Sequence, residues 1–103
     1  MDMQKSGPQN YPAEERRMAE LGERLRLARL RRKFSTSLVA KRAGISRTTL
    51  YKIERGDAAV TFGAYLRVLA VYQLSGDIDK VAVDDHLGRR LQDLGLAPRK
   101  GRS

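Results

Sequence analysis

At 103 residues, 41% of them hydrophobic, the chain has material for one small domain around one core, with short tails. It contains no Cys and a single His, His86, which excludes disulfides, thiolate metal sites and any His-built metal centre. Net charge is +9 and it is focused: residues 21–56 alone carry net +9, residues 1–20 net −1, residues 57–97 net −2 and the tail from Pro98 net +3. A basic patch confined to one segment points to a polyanion.

Residues 1–13 hold Gly7, Pro8, Asn10 and Pro12 without periodicity and read as a flexible arm. This start, MDMQKSGPQNYPAEE, has neither the basic opening nor the apolar run of a signal peptide, and no later run nears the ~20 residues of a membrane span. A cytoplasmic protein is expected. Ala13 to Lys33, rich in Glu, Arg, Leu and Ala, predicts a helix with Leu21, Leu25 and Ala28 on one stripe. Leu27 and Leu30 fall off that stripe. Either they are scattered surface residues, or they pack under the 78–94 segment, or they form a docking ridge flanked by Arg26 and Arg31.

Ser35 is a natural N-cap for a short helix, Thr36 to Ala43, with Val39 and Ala43 inward and Ala40 small enough for close helix contact. Gly44 sits where that helix must stop, since Gly tolerates the left-handed backbone. Ser46 then caps a second helix, Arg47 to Arg55, stopped by Gly56-Asp57. Leu50 and Ile53 share one face of it, leaving Thr48, Tyr51, Lys52 and Arg55 on the other. Thr61 caps a fourth helix reaching about Leu74, with Phe62, Tyr65, Leu66, Leu69 and Tyr72 as core candidates. Ser75-Gly76-Asp77 is a turn, Ile78, Val81 and Val83 are apolar, and His86 to Leu94 predicts a short helix closed by Gly95. APRKGRS reads as a disordered basic tail. No strand signal emerges, so the fold class is all-α.

The span Thr36 to Arg55 has the order of a helix-turn-helix: helix, tight Gly-containing turn, recognition helix. With Val39, Ala43, Ile45, Leu50 and Ile53 apolar and Ala40 small, the pattern AGISxxxLxxIExG followed by an apolar helix resembles the Cro/XRE family of repressors. Leu21 to Leu74 carries the likeness. It implies a five-helix domain that binds operator DNA as a homodimer. The expected organisation is an arm over 1–13, the DNA-binding domain over 14–82, and a C-terminal extension and tail over 83–103. One departure is Thr36, where the family often has Gln. A Thr hydroxyl still reaches phosphate, but not far enough to brace the next helix. The run RLRLARLRRKFS, with GDAAVTFGAYLRVLAVYQLSGDIDKVA and DDHLGRRLQDLGLAPRK, is also similar to HipB-type antitoxins, which repress their own operon and bind a HipA-type kinase toxin.

Arg47, at the N-terminal end of the recognition helix, can pair with guanine O6 and N7. Thr48 offers a hydroxyl or a methyl, Lys52 an ammonium one turn on, and Tyr51 a ring to pack on sugar. These four are the candidates for base readout. Thr36, Lys41, Arg42 and Arg55 are candidates for phosphate, while Ser35, Gly44 and Ser46 shape the turn and caps. Glu54 is expected to pair with a basic neighbour nearby. Leu74, Ile78 and Val81 are candidates for the dimer contact. Asp77, Asp79, Asp84 and Asp85 lack the calcium-loop pattern, His86 reads as a surface side chain, and no catalytic constellation or phosphate loop stands out, so neither an enzyme nor a cofactor is expected. Three readings stay open: a repressor that is an antitoxin, a stand-alone regulator, and an interaction module with weak DNA binding.

Overall fold

Pro12 opens the first helix, where its missing amide costs nothing, and the chain runs helical through Arg31. The computed structural model of the protein describes residues 11–95. Residues 1–10 of the arm and the APRKGRS tail lie outside the described residues. The helix thus takes in Pro12 and Ala13, which the sequence reading gives to the arm. Five α-helices follow one another: α1 (Pro12–Arg31), α2 (Thr36–Ala43), α3 (Arg47–Glu54), α4 (Phe62–Val71) and α5 (His86–Asp93), with a 3₁₀ helix (Ser75–Lys80) before α5. There is no strand among the described residues, and the fold is all-α.

Local chemistry sets most boundaries. Glu14 and Glu15 lie in the first turn of α1 and Arg29 and Arg31 in its last, each matching the helix dipole. Ser35 Oγ accepts from the Leu38 amide at 3.0 Å, and Ser46 Oγ from the Thr49 amide at 3.0 Å. Gly44, at φ +70°, ends α2 in the left-handed conformation. Thr61 Oγ1 accepts from the Ala64 amide at 3.2 Å and opens α4. That helix ends at Val71 rather than Leu74, because Tyr72 and Gln73 leave helical geometry, Gln73 at φ +59°. The predicted turn after it is the start of the 3₁₀ helix.

α1 packs on α3, and α2 packs on both α3 and α4. Leu25 and Ala28 of α1, Val39 and Ala43 of α2, Leu50 and Ile53 of α3, and Ala64, Tyr65, Val68 and Tyr72 of α4 form one buried cluster. The α4 contribution differs from the sequence reading. Val68 is fully buried, Leu66 is half-buried outside the cluster, and Phe62 is 64% exposed. The buried strip is centred about one residue away from the one that spacing suggests, since α4 must meet α2 and α1 together. Leu27 and Leu30 are 39% and 46% exposed. The 78–94 segment leaves both open to this extent, with Ile78 and Val81 lining the same groove as Leu27.

Candidate nucleic-acid interface

Three long-range devices hold the α2–α3 pair from behind. Arg29 of α1 grips Glu54 in a two-pronged ion pair, Nε donating to Oε2 at 2.7 Å and Nη2 to Oε1 at 3.1 Å. Both side chains are largely sequestered, and the Glu54 hydrogen bond, helped by its charge, raises the Arg29 pKa against a smaller opposing effect of burial. Glu54 was expected to pair with a near neighbour. The partner lies 25 residues earlier, because α1 crosses α3 where the helix ends.

Gly22 and Gly56 make that crossing close. A Cβ on Gly22 would stand 2.6 Å from Ile53 O and 2.6 Å from Gly56 N, so only Gly lets the two backbones meet. Gly56, at φ +77°, faces Met18 O on the same crossing. The third device is Arg67 of α4, whose Nε donates to Ala43 O at 2.9 Å and secures the carboxyl end of α2 just before the turn. None of Arg29, Gly22 and Arg67 was singled out by sequence. A glycine inside a helix, at a cost of ~1 kcal/mol against Ala, is the one local signal that could have found Gly22.

With Leu50 and Ile53 fully buried, the opposite face of α3 is open. Arg47, Thr48, Tyr51, Lys52 and Arg55 are all exposed, Tyr51 to 45%. Ser46 Oγ is engaged by the Thr49 amide and donates to Thr49 Oγ1 at 3.0 Å, which orients the helix start that carries Arg47. Lys41 and Arg42 are exposed at the end of α2, and Thr36 is half-buried at its start. The Arg42 guanidinium sits 5.7 Å from the Phe34 ring centroid, a cation–π contact that restrains it. Beside α3, a shallow cleft of about 460 Å³ brings Lys52 and Thr49 together with Ala59 and Thr61 of the α3–α4 loop and with Arg67. That loop is stiff: Asp57 Oδ1 accepts from the Ala59 amide at 2.8 Å, and Tyr65 donates its hydroxyl to Asp57 O at 2.8 Å. Burial, then the Asp57 charge, pushes the Tyr65 pKa up and keeps that donor protonated.

The remaining sequence candidates lie elsewhere. Leu74 is half-buried against the core, Ile78 is half-buried, and Val81 is 66% exposed. His86 is exposed between Asp84, 2.9 Å from its Nε2, and Arg89, 3.1 Å from its Nδ1. No helix among the described residues is long and apolar enough to cross a membrane.

A comparison with curated proteins finds no match. A family model described as a helix-turn-helix domain matches residues 20–79, from α1 to the 3₁₀ helix. The match takes in the braces on α3, the turn at Gly44 and the open donor face, and it spans more than half of the chain. The protein belongs to the helix-turn-helix domain family.

Proposed function

We propose that this DNA-binding regulator is a cytoplasmic, sequence-specific transcriptional repressor that binds operator DNA as a homodimer. The observation that carries the reading is the braced α3 with Arg47, Thr48, Tyr51 and Lys52 all exposed on one helix, inside the segment that holds the charge excess. Rigid support from α1 and α4 fixes the angle at which those side chains meet a groove, as base readout requires. Arg47 pairs with a guanine, and Lys52, Thr48 and Tyr51 complete the readout. Thr36, Lys41, Arg42 and Arg55 meet phosphates and set the register. A dimer places two such helices ~34–36 Å apart on one face of the duplex.

Titrations on matched and mismatched duplexes over a range of salt test this. Arg47→Ala relaxes preference at one base pair, whereas Lys41→Ala weakens all duplexes alike and flattens the salt slope by about one unit. An Arg47→Ala protein with unchanged base preference overturns the readout assignment. Wild-type binding that is weak and indifferent to sequence favours the interaction module instead.

A second reading, the antitoxin of a kinase-like toxin, is favoured by one observation: Leu27 and Leu30, the two residues of the expected ridge, are 39% and 46% exposed on α1, with Arg26 and Arg31 beside them, and Leu30 is the more open of the two. Leu30→Asp then keeps the melting temperature and operator affinity but abolishes capture of a co-encoded kinase-like protein. Capture that survives the change removes Leu30 from the contact, and a locus with no such gene leaves a stand-alone regulator.

A further inference from the structure

Behind the DNA-facing side lies an open apolar groove of about 810 Å³ between α1, the start of α4 and the 3₁₀ helix. Leu21 and Leu27 form one wall, Phe62 lies at its mouth, and Leu74, Ile78 and Val81 form the other wall. Polar groups lie among its lining only as Arg24, Arg31 and Asp77, besides the Tyr65 ring. Such a surface calls for a cover, since isolated apolar residues are ordinary but a contiguous exposed patch marks an interaction site.

The same chain carries a matching surface that stands largely open. Leu87 and Leu91 of α5 and Leu94 at its C-cap recur at i, i+4 and i+7 and form one stripe. No residue of α5 is fully buried: Leu87 and Leu94 are 66% and 65% exposed, and Leu91 between them is half-buried. The helix is well made despite this, with the Asp85 carboxylate accepting from the Gly88 amide at 2.9 Å. Eight residues give a rod ~12 Å long, and three leucines along it suit a groove of this size. Arg90, three residues after Leu87 and four before Leu94, stands at the edge of the stripe, opposite in charge to Asp77 on the groove. Arg24 and Arg31 suit the carboxyl end of a helix laid in the groove.

We propose that α5 of a second copy fills this groove, each protomer giving its helix to the other about a two-fold axis. The inference rests on the homodimer reading and supplies its contact. Three observations select a second copy over the chain's own helix or a foreign ligand. First, in the single chain no residue of α5 is fully buried and Leu87 and Leu94 stay open, although only residues 81–85 separate it from the 3₁₀ helix. Second, this connector leaves from Val81, itself part of the groove wall, and holds Ala82 at φ +62°, a left-handed conformation that a non-glycine residue adopts at a cost. Docking at home requires the chain to double back over that wall, and short strained hinges of this kind favour exchange between protomers. Third, each chain owns one groove and one unpartnered stripe, so a closed two-fold exchange covers both. A foreign partner in the groove leaves the stripe in water.

The absence of Cys makes the test clean. Full-length Leu27→Cys and Leu91→Cys variants are mixed at micromolar concentration and treated with a short flexible bis-maleimide. The expected product is a heterodimer that joins position 27 of one chain to position 91 of the other. Sedimentation of the Leu87→Asp, Leu91→Asp double variant is expected to give a monomer with wild-type circular dichroism, since neither residue lies in the core. A doubly substituted Leu27→Cys, Leu91→Cys chain that cross-links as a monomer overturns the exchange in favour of docking at home. Cross-linking of Leu91→Cys only to itself overturns it in favour of paired α5 helices. A dimer that survives the two Asp substitutions overturns the exchange but leaves the homodimer standing. A wild-type monomer, with and without duplex DNA, overturns both.

Discussion

α3 and α5 are two amphipathic helices of eight residues, each opened by a side-chain cap on the third amide. Their surroundings differ completely. α3 lays Leu50 and Ile53 into the core and turns its polar face outward, while α5 leaves Leu87 and Leu94 exposed and Leu91 half-buried, with no residue fully buried. Amphipathic spacing therefore says that a helix has an apolar side, and nothing about what covers it. For α3 the cover is α1 and α2 of the same chain. For α5 the proposed cover is the groove of a second copy.

The largest effect should come from breaking what holds α3. Arg29→Ala leaves Glu54 as a sequestered carboxylate without its ion pair, which costs ~3–5 kcal/mol where a buried pair loses one partner. Chemical denaturation of the variant checks the size. Arg29→Ala, Glu54→Ala together should recover part of the loss, because no charge is then left stranded. Next in size is the direct test of the contrast. Leu50→Ala should cost ~2–5 kcal/mol, the usual penalty for a core Leu. Leu87→Ala should stay within about 0.5 kcal/mol, as surface changes do, when melted at a concentration too low for dimers. Equal losses at the two positions would erase the distinction between the helices.

The difference between the two helices also separates what could be read from what could not. Caps at Ser35, Ser46 and Thr61 and the turn at Gly44 act within about four residues, so short stretches of sequence reveal them. The Arg29–Glu54 pair and the Gly22–Gly56 crossing join residues far apart in the chain, and they exist only once α1 lies across α3. Phe62 and Val68 show the same limit inside one helix. Spacing identifies a strip on α4, but the positions of α1 and α2 decide its centre. For the interface, the exposed face of α3 was legible because Leu50 and Ile53 define its opposite. The angle at which that face meets a groove is not legible locally, since Arg29, Gly22 and Arg67 set it. Leu27 was legible as an oddity, and its place beside the groove needed Ile78 and Val81 brought opposite.

A smaller effect probes the outward face of α3. Arg47→Ala should weaken binding to the preferred duplex by ~1–3 kcal/mol, the worth of a good bidentate base contact, with no change in melting temperature. Fluorescence titration and calorimetry on the same sample separate the two quantities. Leu91→Ala offers the mirror image, with the isolated domain's contact to DNA intact and the affinity of the dimer reduced. A fall in thermal stability for Arg47→Ala would mean that the open face also supports the fold.

The last effect is a gain, and it lies in the core that α3 joins and α5 does not. Tyr72 is 1% exposed, its ring stacked on Phe34 at 6.4 Å between centroids and covered by the Arg32 guanidinium at 5.5 Å. Its hydroxyl has no hydrogen-bond partner among the described residues, and a buried polar group in that state costs free energy. Tyr72→Phe keeps the ring, the stacking and the cation–π contact, so it should raise stability by ~1 kcal/mol rather than lower it. Burial above all, then the Glu54 charge, pushes the Tyr72 pKa up to about 12, against the opposing charges of Arg29 and Arg32. The unfolded chain ionises this group near pH 10. Its contribution to stability is therefore intact below pH ~10 and is lost as pH rises from there to about 12. Tyr65, also raised, leaves some alkaline loss in both proteins, so the quantity to measure is the gap between them. Urea titrations at steps from pH 8 to about 12 should show that gap widening in favour of Tyr72→Phe through the upper part of the range. A constant gap would mean that the hydroxyl ionises as readily in the fold as in the unfolded chain, and a less stable Tyr72→Phe would mean that the hydroxyl has a hydrogen-bond partner in the fold.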